Sequence, residues 1–213
     1  MCRELLQRGA DVNATEVNGS TALMDAASRG HSAVCHELLY RGAHPDARLC
    51  DGHTALLLAV FYRRLECIQT LLDHGAWTTL SLSDGSTAIQ LAVQMGSVDV
   101  VETLVAHDPL ELQQVHTPGG NLLHLAMFGL VRFPERSDED VYTLVAFLLE
   151  HGVSSRAKTE HGDTPLRVLQ RLREEKKVSS DYQTTRDRLS LYPASYSAPA
   201  TRWGTTTIFR HVN

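Results

Sequence analysis

Eleven histidines and four cysteines are the side chains of this chain best suited to hold a metal or to attack a substrate. Zinc sites place such ligands at short, fixed spacings, so that one turn or one helical face brings them together. Here no two histidines form an HxxxH pair, and Cys2, Cys35, Cys50 and Cys67 form no CxxC pair. Phosphate chemistry needs a glycine-rich loop, yet Gly119-Gly120 alone is only a turn signal. No serine, cysteine or aspartate stands in a recognisable nucleophile motif. Asp51-Gly52 and Asp84-Gly85 return at a fixed interval, as tight turns require and acid–base pairs do not. The expectation is a protein with no catalytic residue, no metal site and no cofactor.

What does recur is a skeleton. Thr21, Thr54 and Thr87 are 33 residues apart, as are Gly19, Gly52 and Gly85, and Gly9, Gly42 and Gly75. A period of this size predicts stacked supersecondary units, which offer a long surface and no enclosed pocket. Aligned on threonine, the units open at Thr21, Thr54, Thr87, Asn121 and Thr164. Such a residue caps a helix by accepting from backbone N–H groups of the first turn. Pro165 then takes the first helical position, where it needs no N–H.

A short first helix follows, rich in small residues: Ala26-Ala27, Ala59-Val60, Ala92-Val93 and Ala126. A second helix carries the pairs Leu38-Leu39, Leu71-Leu72, Leu104-Val105 and Leu148-Leu149 and ends at Gly42, Gly75 and Gly152. Arg8, Arg41, His74 and His151 precede the terminating glycine, with His107 in the same column. A basic residue there favours the negative end of the helix dipole by about 0.3–1 kcal/mol. These histidines are expected to cap helices rather than to bind a ligand.

With these columns in view, the chain resembles the ankyrin-repeat family. Its second unit, Asn18-Gly19-Ser20-Thr21-Ala22-Leu23-Met24-Asp25-Ala26-Ala27-Ser28-Arg29-Gly30-His31, closely follows that family's pattern, and the likeness runs over about residues 1–175. The resemblance implies an all-α solenoid of stacked helix-turn-helix units with short β-turn or hairpin fingers. The expected division is a partial repeat over 1–17 and full repeats over 18–50, 51–83 and 84–117. A repeat with an insertion near 130–140 then covers 118–160, a degenerate capping repeat 161–177, and a disordered tail 178–213. Two departures stand out. The family's proline after threonine survives only at Pro165, and its histidine two positions later only at His124, with Met24, Leu57, Gln90 and Arg167 elsewhere. Units without that histidine are expected to be less rigid at the finger base.

The array is irregular at both ends and near its middle. Residues 2–12 match only a second helix and its exit, so the chain is expected to be a fragment of a longer array or to fray at its first helix. The stretch from Asn121 to Thr164 is 43 residues, ten above the period, with the extra placed in a polar loop between the helices. Within it Ser137 could cap the next helix, and Ser137-Asp138-Glu139-Asp140 also resembles an acidophilic-kinase site. In the tail, Trp203 and Ile208-Phe209 are apolar enough to dock back or to meet a partner, or are inert.

A net charge of −5, from 20 basic and 25 acidic side chains, gives no support for nucleic-acid binding. No apolar run reaches the length of a membrane span, and the charged Met1-Cys2-Arg3-Glu4 start does not read as a signal peptide. Cys35 and Cys67 stand where other units have valine or isoleucine, which predicts small core residues in a reducing compartment, a disulfide or metal role being the alternative. A cytoplasmic or nuclear monomer follows.

By resemblance, the first helices and finger tips line a concave partner-binding face. Arg48, Leu49 and Leu82 are its finger candidates, with Leu49 and Leu82 forming an apolar ridge. Phe61, Tyr62, Met95 and Phe128 take columns that the family pattern fills with polar residues, so they are interface candidates or packing between helices. Leu58, Leu91 and Leu125 are expected to pack. Asn13, after Asp11-Val12 and with Leu5 upstream, resembles sites of asparaginyl hydroxylation in ankyrin arrays. The function expected is a non-catalytic protein-binding module: scaffold, adaptor or inhibitor. The alternatives are the substrate-recognition subunit of a ubiquitin ligase, or a regulatory fragment of a larger enzyme or channel.

Overall fold

The computed structural model describes residues 2–114, 120–132, 138–168 and 170–171. Within them, helices fall at α1 (Cys2–Gln7), α2 (Ala22–Arg29), α3 (Ser32–Tyr40), α4 (Ala55–Phe61), α5 (Leu65–Asp73), α6 (Ala88–Gln94) and α7 (Val98–His107). Three more follow: α8 (Glu111–Gln114), α9 (Leu122–Arg132) and α10 (Asp138–Glu150). The chain divides into two compact units, Met1–Ser154 and Ser155–Asn213.

In the first unit the helices pair as antiparallel neighbours: α2 with α3, α4 with α5, α6 with α7 and α9 with α10. The pairs then stack, α2 on α4 on α6 on α9 in one row and α3 on α5 on α7 on α10 in the other. The threonine column starts the first row. Thr21 Oγ1 accepts from the N–H of Met24 at 3.3 Å, and Thr54 Oγ1 from that of Leu57 at 3.3 Å. At α9, Asn121 Oδ1 accepts from the N–H of Leu123 at 3.2 Å.

The family histidine has a definite task at His124. Its Nδ1 accepts from the backbone N–H of Asn121 at 3.1 Å, the return half of a capping box. Gln90 does the same work, its Oε1 accepting from the N–H of Thr87 at 2.9 Å. Met24, Leu57 and Arg167 have no acceptor to offer there, so loss of the histidine does not loosen every finger base.

The second row ends as expected. Gly42, Gly75 and Gly152 carry φ of 88°, 80° and 83°, in the left-handed region where a side chain is strained. His74 Nδ1–H donates to the Thr70 carbonyl at 2.8 Å, and His151 Nδ1–H to that of Phe147 at 2.9 Å. Arg41 instead pairs with Glu37 at 3.1 Å.

Between the helices of a pair, Gly30 and Gly96 also have positive φ, and Arg63 does so as a non-glycine residue at 53°. Left-handed backbone costs an L-residue roughly 1–2 kcal/mol. The Arg63 side chain gains only an exposed pairing with Asp99 at 3.1 Å in return, an interaction of about 0–1 kcal/mol. Arg63→Gly and Arg63→Ala both lose that pair, but only glycine relieves the backbone. Urea unfolding should find the glycine variant more stable than the alanine variant by about 1 kcal/mol. The reverse order would place the strain elsewhere.

The core lies between the rows. Cys35 and Cys67 are fully buried, their sulfurs 3.9 Å apart and unlinked. Burial raises both thiols, Cys35 to about 12, so both are protonated packing groups.

In the fourth repeat, where an insertion is expected near 130–140, α9 runs to Arg132 and α10 begins at Asp138, and residues 133–137 between them lie outside the described residues. Ser137, for which capping and phosphorylation were both considered, lies outside the described residues, as does the tail from 172 onward.

In the second unit a turn closes from the Thr159 N–H to the Asp163 carbonyl at 3.0 Å, and residues 165–168 are helical. The buried Asp163 carboxylate pairs with Arg167 at 3.3 Å and Arg171 at 3.0 Å.

Candidate protein-binding surface

The fingers preceding the first-row helices are tight turns. Glu16 N–H bonds Ser20 O, Leu49 N–H bonds His53 O, and Leu82 N–H bonds Ser86 O, at 2.8–3.0 Å. Isolated bridges join Thr15 to Thr21 and Ser81 to Thr87. The fingers also bond to one another: Cys50 N–H to Asn18 O at 3.3 Å, and Ser83 N–H to Asp51 O at 3.4 Å.

This stacking corrects the reading of Leu82, which is 4 % exposed. The backbone of its finger packs so closely on Gly52 that a Cβ there would meet Leu82 Cα at 3.3 Å. Leu82 therefore belongs to the packed base, and the proposed Leu49–Leu82 ridge does not form an accessible surface. Leu49 is half-buried. Arg48 is exposed, but its guanidinium donates to the Ser81 carbonyl of the next finger, so it serves as a strap between fingers.

Phe61, Tyr62, Met95 and Phe128 are all half-buried, each offering part of its surface to solvent. Phe61 and Tyr62 meet edge to face, with ring centroids 5.1 Å apart. Tyr62 caps the C-terminus of α4 and Met95 that of α6, so the stacking of α4 on α6 brings them to neighbouring helix ends. Burial raises the Tyr62 phenol above its usual range, and the charge of Arg64 partly offsets this. Leu91 and Leu125 are buried, as expected for packing, while Leu58 is half-buried. The finger candidates and the Phe61 group thus lie at opposite ends of the first-row helices.

Asn13 bridges two units. Its Nδ2 donates to the Gly42 carbonyl at 3.0 Å and its Oδ1 accepts from the His44 N–H at 2.8 Å. One unit on, Asp46 accepts from the Trp77 N–H at 2.9 Å in the same way. Any enzyme that hydroxylated Asn13 would meet an amide already committed on both sides.

Sequence reasoning missed two features. Trp77 and Leu110, 33 residues apart, are 64 % and 58 % exposed. A tryptophan in a column held by aspartate and histidine (Asp11, His44) was the available signal. The second is Glu111, only 6 % exposed, in the column of Val12, Pro45 and Thr78.

The Glu111 Oε2 has no hydrogen-bond partner among the described residues. Burial raises its carboxyl above the usual range, a Thr78 hydrogen bond pulls it down, and Asp108 adds to the rise. The folded state therefore keeps a proton that the unfolded chain has released. Stability should fall as pH climbs from the ordinary glutamate range through the raised value, then level off. Glu111→Gln should flatten that decline and add about 1–2 kcal/mol at neutral pH. Urea titrations of both proteins from acid to neutral pH check this, and parallel profiles would refute it.

Among the described residues no three His, Cys, Asp or Glu side chains cluster as metal ligands, and no helix is long and apolar enough to cross a membrane.

The sequence matches two family models: ankyrin repeats in three copies over residues 1–81, and ankyrin repeats in many copies over 58–105. No curated protein matches it. Among solved structures, an ankyrin repeat domain from Acinetobacter baumannii AYE is similar at 27 % identity and a TM-score of 0.69, over 79 % of this chain and 83 % of that one. A chain from the structure of a predatory endopeptidase of Bdellovibrio bacteriovorus in complex with an immunity protein is similar at 24 % identity and a TM-score of 0.66, over 81 % and 86 %. With the capped helix pairs, the stacked fingers and the 33-residue period, these matches identify the chain as a member of the ankyrin-repeat family.

Proposed function

We propose that this chain is a non-catalytic scaffold, adaptor or inhibitor that grips a partner protein through the first-row helix ends around Phe61, Tyr62 and Met95. The observation that carries the reading is the half-exposure of these three side chains on adjacent helix ends. Aromatic residues and methionine are over-represented in the buried centres of interfaces, where a few anchors supply most of the binding energy. The capped, stacked helices hold them in place, so little ordering entropy opposes docking. Unlinked Cys35 and Cys67, near enough to touch, support action in a reducing compartment, the cytoplasm or nucleus. Proximity labelling with the intact chain and with Phe61→Asp, Tyr62→Asp and Met95→Asp variants tests the proposal. The variants should keep the helical circular-dichroism spectrum and lose a shared set of labelled proteins. Retention of every labelled protein by all three would rule this surface out.

A further inference from the structure

We propose that the partner segment seated on this surface is an acidic peptide, its carboxylates received by Arg29 and Arg64 and an apolar side chain by the Phe61–Tyr62 pair. The inference rests on the reading above and adds the chemistry of the partner.

The repeat pattern makes the arginines conspicuous. The turn between paired helices reads Gly30-His31 and Gly96-Ser97 in the neighbouring units but Arg63-Arg64 in this one. Arg63 occupies left-handed backbone to do so, and strain of this kind persists where function or its surroundings maintain it. Its side chain reaches both carboxylate oxygens of Asp99, at 3.1 and 3.2 Å. That contact pairs the acid at the start of α7 with Arg63.

Arg64 is held for use. Its Nε donates to the Ser28 carbonyl at 3.1 Å, and its stem passes the bare face of Gly30, where a Cβ would come within 3.0 Å of Arg64 Cδ. Both anchors lie on the preceding unit, so the guanidinium is fixed while its Nη groups keep no partner among the described residues. A guanidinium fixed in this way presents a planar fork suited to a carboxylate.

Arg29 supplies the second cation. It ends α2 in the column of Tyr62 and Met95, is exposed, and has no hydrogen-bond or ionic partner among the described residues. Because α2 packs on α4, its charge stands one unit from Tyr62. The acids nearest along these elements are Asp25, one helical turn before Arg29, and Glu66, which accepts from Ser32 Oγ at 2.9 Å. Two open cations beside half-exposed aromatics, on a chain of net charge −5, form a local exception that fits an acidic, partly apolar segment.

The test uses fluorescence anisotropy of a fluorescein-labelled Glu-Glu-Phe-Glu-Glu peptide, its lysine counterpart, and a single-stranded RNA oligonucleotide, each with the full chain. The acidic peptide should bind, weaken as salt rises, and lose about tenfold or more in affinity with Arg29→Glu and again with Arg64→Glu. Lys158→Glu, an equal charge change in the second unit, should have no effect. The proposal is overturned if the acidic peptide does not bind, or if the arginine variants bind it as well as the native chain does. Tighter binding of the RNA through the same arginines overturns it too, in favour of a nucleic-acid ligand. If Phe61→Asp abolishes proximity labelling while the arginine variants change nothing, the surface stands and the acidic chemistry falls. If neither matters, both fall.

Discussion

Leu71→Ala should destabilise the array by about 3–4 kcal/mol, near the upper part of the range for a buried leucine in a core that cannot collapse around the gap. Leu71 is fully buried in α5. Leu38 of α3 and Leu104 of α7, 33 residues to either side, occupy the same column and are 1 % and 0 % exposed. The three form a ladder through the second row, and Leu71 is its middle rung. In a stacked array each pair is stable only against its neighbours, so the loss acts on the contact with α3 and the contact with α7 together. Leu149→Ala is the control. Its side chain is 45 % exposed on α10, and its removal should cost well under 1 kcal/mol. Urea unfolding of the two variants beside the native chain decides the matter. A similar small loss in both would mean that the leucine column does not hold the rows together.

Much of this was legible in the sequence because the family's signals are local. A threonine before an apolar helix, or a glycine after one, acts within four residues of itself. The caps at Thr21 and Thr54 and the left-handed glycines at Gly42, Gly75 and Gly152 could therefore be read directly. The histidines His74 and His151 followed from the same logic, since a ring at the last turn finds a carbonyl four residues back. Depth is a different quantity. The period placed Leu49 and Leu82 in one column, but only the packing of successive fingers decides that the first keeps some exposure and the second does not. Arg48 reads as a solvated charge until the next finger brings the Ser81 carbonyl within reach.

Substitution by a different residue type also hid function within the skeleton. Gln90 has an amide oxygen where His124 has a ring nitrogen, and either accepts from the N–H at the helix start. A comparison by residue identity counts Gln90 as a departure, whereas one by hydrogen-bonding capacity does not. The short helix α8 escaped for a related reason. Where other units turn at glycine, this one has Asp108-Pro109, and Asp108 Oδ1 accepts from the Leu110 N–H at 3.0 Å to lead into Glu111.

Gly129→Val should cost about 3 kcal/mol, although the residue sits in a helix, where losing a glycine ordinarily helps. Gly129 shares the column of Arg29, Tyr62 and Met95, and is the one member of that column without a side chain. Its absence lets α9 approach the backbone of α6: a Cβ at Gly129 would stand 2.6 Å from the Gln94 carbonyl oxygen and 3.4 Å from its carbon. The obstacle is main chain, so no rotamer change can remove it, and the two helices must separate. Gly75→Ala provides the contrast. Nothing lies within 4 Å of a Cβ there, and its left-handed φ of 80° alone predicts a loss of about 1 kcal/mol. The separation forced by valine should also disturb the place of Met95 at the C-terminus of α6, weakening the partner surface along with the fold. Chemical unfolding should therefore rank Gly129→Val below Gly75→Ala, and proximity labelling at a temperature where both remain folded should be impaired only in the valine variant. A valine variant as stable as the native chain would mean that the α6–α9 contact is wider than this spacing.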